Sequence, residues 1–120
     1  MAAEYVMAGK NYNVVLCERG VRTFSDHSRN TLDISVIPPA KATSHLPILV
    51  DPSHGTGKCQ YVPAMAKAAL AAGADGLLIE IHPKPDEALS DGAQSLDFGA
   101  FSQLLHSLRA LGESFGRTIN

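Results

Sequence analysis

The chain has 120 residues, 45% of them hydrophobic and 18% charged, and its ten basic and twelve acidic side chains give a formal charge of −2. That is one domain at most, with enough apolar material for one modest core, and a mean hydropathy of +0.01 excludes a disordered tail and an integral membrane protein. The acidic balance, the 6% aromatic content and the absence of tryptophan argue against nucleic acid as a partner, because phosphate contacts reward basic surfaces and bases reward aromatic platforms.

In chain order, residues 2–8 read as the end of a helix stopped by Gly9, so the chain opens in mid-element, as expected of part of a longer protein. Val14 to Cys17 is a short apolar run without alternation, the pattern of a strand buried on both faces. Cys17 in such a strand is expected to be a small core residue. Thr31 to Val36 is read as a helix limited by Pro38 and Pro39. Ile48 to Val50 is a second buried strand, and Asp51 to Gly57 has the composition of a loop. Tyr61 to Ala72 is an alanine-rich helix closed by Gly73. Leu77 to Ile81 is a third strand, broken by His82-Pro83-Lys84-Pro85, and Asp86 to Gln94 reads as a loop with one short turn. A last helix spans about Asp97 to Leu111, with Phe98, Phe101, Leu104, Leu105, Leu108 and Leu111 on one core-facing stripe. Strands alternating with helices define an α/β protein with a parallel sheet; a small doubly wound sheet and a piece of a (β/α)8 barrel both fit.

Each strand ends in an abrupt polar cluster: Glu18, Arg19 and Arg22; then Asp51, Ser53 and His54; then Glu80 and His82. In parallel α/β folds ligands sit at the carboxyl ends of the strands, so all three clusters aim at one rim. His54, Glu80 and Asp91 suit a divalent metal such as Mn2+, Fe2+, Co2+ or Zn2+. Their spacing alone leaves plainer roles open: His54 capping a loop, Glu80 in an ion pair, Asp91 capping a turn. Arg19 and Arg22, beside Gly20, can grip phosphate or carboxylate, or pair with Glu18 or Asp26 on the surface. Gly55-Thr56-Gly57-Lys58 is not a nucleotide phosphate loop, because Cys59 follows the lysine and the glycine spacing is wrong. Cys59 opens a helix without a base partner, and Cys17 and Cys59 together make no disulfide framework; with no signal-like N-terminus, a reducing, cytoplasmic setting is expected.

Five segments taken together resemble 3-deoxy-D-arabino-heptulosonate 7-phosphate (DAHP) synthases, of the subgroup related to 3-deoxy-manno-octulosonate 8-phosphate synthase. They are Cys17-Glu18-Arg19-Gly20-Val21-Arg22-Thr23-Phe24, Arg29-Asn30-Thr31-Leu32-Asp33, Leu49-Val50-Asp51-Pro52-Ser53-His54, Ile79-Glu80-Ile81-His82-Pro83 and Ala88 to Leu96. The resemblance implies the C-terminal portion of a (β/α)8 TIM barrel, its last three strands and helices. It implies a metal-dependent condensation of phosphoenolpyruvate with erythrose 4-phosphate, the entry step of the shikimate pathway to aromatic amino acids. Carried over, His54, Glu80 and Asp91 are three of four metal ligands, Arg19 holds phosphoenolpyruvate, and Arg22 is a weaker neighbour; Arg19, His54 and Asp91 are the candidates for catalysis. The family's fourth ligand, a cysteine in Gly-Pro-Cys, and its Lys-Pro-Arg-Thr-Ser sugar-phosphate loop do not occur in these 120 residues. The expectation is therefore an isolated chain with little or no activity, which associates with itself or with the missing N-terminal part of the barrel. An octulosonate 8-phosphate synthase-like enzyme and a non-catalytic anion-binding or assembly module are the alternatives.

Overall fold

A computed structural model describes all 120 residues. Three short parallel strands, β1 (Leu16–Glu18), β2 (Ile48–Val50) and β3 (Gly76–Leu77), pair in the order β1-β2-β3. Leu16 lies opposite Ile48 and Glu18 opposite Val50, and Val50 in turn lies opposite Leu77. Helix α1 (Ala2–Ala8) precedes β1 and α5 (Phe98–Ser114) follows β3, while α2 (Ile37–Thr43) lies between β1 and β2, and α3 (Pro52–Thr56) and α4 (Val62–Ala72) lie between β2 and β3. Parallel strands need crossovers, and these helices provide them.

The period of two along β2 sends Ile48 and Val50 into a core with Ile37, Ala69 and Ala74. A second core joins Val62, Ala66 and Leu70 of α4 to Leu96 and to Leu104 and Leu108 of α5. The intervening Leu49, and Cys17 opposite it, turn to the other face of the sheet. Cys17 is exposed there, so it is not the core residue expected from its apolar run. The strand around it is also later and shorter than read, and is half-covered rather than buried on both faces.

Other boundaries shift for physical reasons. Pro38 and Pro39 begin α2 instead of limiting a helix before them, because a first turn has no use for the missing N–H groups. Thr31 exchanges backbone hydrogen bonds of 3.0 and 2.8 Å with Val21, which folds residues 21–31 into a closed loop and leaves only a 3-10 turn, Ile34–Val36, before α2. Asp51 to Gly57 is not a loop: Asp51 caps the five-residue helix α3 and Gly57 ends it at φ 67°. Beyond Leu77 the third strand continues only as a bridge between Ile81 and Leu96. Residues 85–94 hold two 3-10 turns, Pro85–Glu87 and Gly92–Gln94, rather than one. Helix α5 runs to Ser114, and Phe98 at its start is exposed rather than part of the stripe.

Candidate metal centre at the strand ends

The carboxyl ends of β2 and β3 and the loop before α5 converge. On β2, Val50 points to the core, so Asp51 points to the opposite face. Its Oδ1 accepts the His54 N–H at 2.9 Å and thereby starts α3, which places the His54 ring one turn above the strand end. Buried Ser53 on the same turn accepts the Glu80 N–H at 3.0 Å, holding the end of the third strand against α3. The Leu96 N–H to the Glu80 carbonyl, 2.9 Å, pulls the chain before α5 alongside. Asp91 then reaches the cluster from a left-handed backbone at φ 56°, a conformation aspartate tolerates better than most residues. Gly92 follows because a Cβ there would collide with the Pro85 carbonyl, so the two 3-10 turns can stack.

Here the imidazole meets the carboxylates. His54 Nε2 is 2.9 Å from Glu80 Oε1 and 4.0 Å from Asp91 Oδ2, and ligand atoms of the three residues all lie within 4.8 Å of one another. On the other side of the ring, Nδ1 is 2.6 Å from Asp51 Oδ2. One nitrogen and two carboxylate oxygens gathered in so small a space suit a borderline divalent cation, and a carboxylate behind the imidazole is the usual support of a ligating histidine. Asp91 is the most exposed of the three, so the cluster opens to solvent on its side.

Arg19 stands at the edge of this cluster. Its Nε is 3.7 Å from Asp51 Oδ2, its one ion pair, and its side chain is 61% exposed. It therefore pairs with neither Glu18 nor Asp26. Glu18 instead turns away to accept the Gly20 N–H at 2.7 Å and the Asp33 N–H at 3.3 Å. Arg22 is not drawn to the cluster: its Nη1 donates to the Arg29 carbonyl at 3.4 Å. His82 accepts the Lys84 N–H through Nδ1 at 2.9 Å, a turn cap rather than a ligand. Lys58 donates to the His27 carbonyl at 2.9 Å and ties down the loop after β1.

Two residues near the cluster were named in the sequence reading but given no role there. Asp51 is fully buried, yet its Asp-Pro letters look the same in any turn. Arg29 is 3.8 Å from Asp91 Oδ1 and donates to buried Gln94 Oε1 at 3.2 Å. The only signal for Arg29 was its place at the head of the segment Arg29-Asn30-Thr31-Leu32-Asp33. Partial desolvation, and then the nearby Asp51 carboxylate, push the Cys17 thiol above its ordinary range despite the exposure of the residue.

The three parallel βα units match the C-terminal part of a (β/α)8 barrel, with the candidate cluster at the strand ends. The chain belongs to the DAHP synthetase I family, whose model matches residues 1–116. It is 48% identical over all 120 residues to phospho-2-dehydro-3-deoxyheptonate aldolase of Thermotoga maritima, and covers 36% of that protein. The crystal structure of that aldolase (DAHP synthase) superposes with a TM-score of 0.97 over 99% of this chain and 35% of the other, at 49% identity. A 2-dehydro-3-deoxyphosphooctonate aldolase of Legionella pneumophila is 34% identical over 116 residues, which are 88% of this chain and 41% of that protein. The chain thus spans roughly a third to two-fifths of the length of the curated relatives it matches. No helix is long and apolar enough to cross a membrane.

Proposed function

We propose that these 120 residues supply the metal-binding side and part of the phosphoenolpyruvate site of a DAHP synthase, which condenses phosphoenolpyruvate with erythrose 4-phosphate. The observation that carries this reading is the meeting of His54 Nε2, Glu80 Oε1 and Asp91 Oδ2 beside the Arg19 guanidinium. His54, Glu80 and Asp91 would hold a divalent cation, Mn2+, Fe2+, Co2+ or Zn2+, which when bound supplies Lewis-acid polarisation of an aldehyde oxygen. Arg19 would bind the anionic end of phosphoenolpyruvate with the part of its guanidinium that Asp51 leaves free, holding the enol carbon near the rim. Asp51 keeps that guanidinium and the His54 ring in fixed relation. Arg22, on the far side of the Arg29 carbonyl, would add long-range positive charge and no direct contact. The identity of 48% to a heptonate aldolase against 34% to an octonate aldolase supports erythrose 4-phosphate over a five-carbon sugar phosphate. A soluble, cytoplasmic enzyme of aromatic amino acid synthesis is consistent with this.

Two measurements test the reading. The 120-residue chain, given both substrates and Mn2+, is expected to form no product, because Gly-Pro-Cys and Lys-Pro-Arg-Thr-Ser do not occur in it. Grafted into the Thermotoga relative in place of the matching segment, it is expected to support turnover with erythrose 4-phosphate and to discriminate against arabinose 5-phosphate. Arg19→Ala in that graft should raise the KM for phosphoenolpyruvate at least tenfold. Robust turnover by the chain alone, or a graft that prefers the five-carbon sugar, contradicts the proposal. Phosphoenolpyruvate binding in calorimetry with an inert graft would instead favour an anion-binding module.

A further inference from the structure

We propose that Asp51 is a positioning residue: its carboxylate fixes the ring proton of His54 on Nδ1 and so dedicates Nε2 to the cation held with Glu80 and Asp91. This rests on the metal reading above and extends it to a residue that binds nothing itself.

The case begins with burial. Asp51 has no exposed surface, and a buried carboxylate is costly unless its oxygens are matched to partners. Both are matched, and each to a different part of one residue. Oδ1 accepts the His54 backbone N–H at 2.9 Å, and Oδ2 lies 2.6 Å from His54 Nδ1. The nearest cation is the Arg19 guanidinium, 3.7 Å from Oδ2.

The first contact is the N-cap of α3, and an asparagine or serine would serve a cap as well as an aspartate does. A carboxylate is therefore more than the cap needs. The second contact explains it. An ionised carboxylate only accepts, so the Nδ1 that faces it at 2.6 Å carries the hydrogen, and a cation seated between Nε2 and the Glu80 and Asp91 carboxylates takes the lone pair of Nε2. Nε2 is the atom that faces Glu80 at 2.9 Å and Asp91 at 4.0 Å. One side chain thus sets the pose of the ring twice, through the backbone amide and through the far nitrogen.

An asparagine at position 51 has one acceptor for two donors. With its oxygen on the backbone N–H, its amide nitrogen meets Nδ1 and favours the opposite tautomer, with hydrogen on Nε2. A serine caps the helix but is too short to reach the ring.

The test uses the 120-residue chain and Zn2+, a probe without redox chemistry. Zn2+ affinity is measured by chelator competition for the wild type, Asp51→Asn and Asp51→Ser, alongside thermal melting. Loss of a partner behind a ligating histidine weakens metal binding by about 10- to 100-fold, so both variants should show that loss while melting near the wild type. Affinities within twofold of the wild type would overturn the proposal and leave the metal reading standing. Absence of Zn2+ binding by the wild type would overturn both. Long-range 1H–15N correlation of the Zn2+-loaded wild type, with His54 assigned by its loss in His54→Asn, decides the matter even if the variants fail to fold. A ring hydrogen on Nδ1 is expected; a hydrogen on Nε2 refutes the assignment.

Discussion

At the level of single residues, the chemistry of the cluster was legible in the letters but its geometry was not. A histidine and a glutamate at strand ends, with Asp91 in a loop beyond, suited a cation, and the resemblance implied one, while their spacing alone left plainer roles open. The support behind the histidine was hidden, because an aspartate before a proline reads as turn chemistry whether or not its second oxygen holds a ring. Cys17 misled for a related reason: an apolar run announces a strand, but does not say which of its faces is covered. Gly57 is the glycine whose backbone demand reaches the site. It sits at φ 67°, and a Cβ there would lie 2.5 Å from Arg29 Cβ. A non-glycine residue in that conformation costs about 1–2 kcal/mol before any clash. Gly57→Ala is therefore expected to destabilise the fold by about 1–3 kcal/mol in urea unfolding and to displace Arg29 from Asp91. An unchanged midpoint would show that Arg29 yields freely.

Among elements, the long periodic helices α4 and α5 and the run Ile48–Val50 were plain from pattern alone, while the short ones were not. A five-residue helix has no room for a period, so only its cap betrays it, and prolines mark a start as readily as a stop. Element placement also shows in the link between α2 and β3. Lys41 Nζ is 2.5 Å from Asp75 Oδ1, and Asp75 Oδ2 accepts the Ile48 N–H at 3.0 Å. The Lys41 hydrogen bond first, and the Ile48 amide second, hold the Asp75 carboxyl below its usual range. A depressed carboxylate stabilises the fold fully above its unfolded pKa of about 3.9, and that stability is lost as pH falls through the lower folded value. Lys41→Ala lets the folded value rise toward the unfolded one. It should reduce stability at neutral pH by no more than about 1 kcal/mol, since the pair is partly exposed, and should flatten the acid-dependent part of the curve below pH ~4. Urea midpoints from pH 2 to 7 check this; parallel curves for the two proteins would exclude the link.

For the molecule as a whole, β1 and β3 are both outer strands, and Val15, Val21, Phe24, Leu78, Ile81 and Leu89 are exposed. Unpaired strand edges beside apolar side chains invite pairing with another chain. Purified chain is expected to scatter light as species heavier than 12.7 kDa, and a monodisperse species at that mass would refute the expectation. Composition alone promised a soluble globular domain; the expectation of association came from the resemblance to part of a barrel, because alternation along two- and three-residue strands is too brief to show which side chains stay bare. Stitching within the rim is uneven. The Arg29 and Asn30 amides donate to the Thr56 and Gly55 carbonyls at 2.9 and 3.1 Å, and Asn30 Nδ2 reaches the His54 carbonyl at 3.2 Å. Histidine and its scaffold are thereby riveted to the preceding unit, whereas Asp91 hangs on the limb between two 3-10 turns, gripped from outside chiefly by Arg29. Of the three jaws of the clamp the aspartate is the barest, so the entrance for a guest lies on its side.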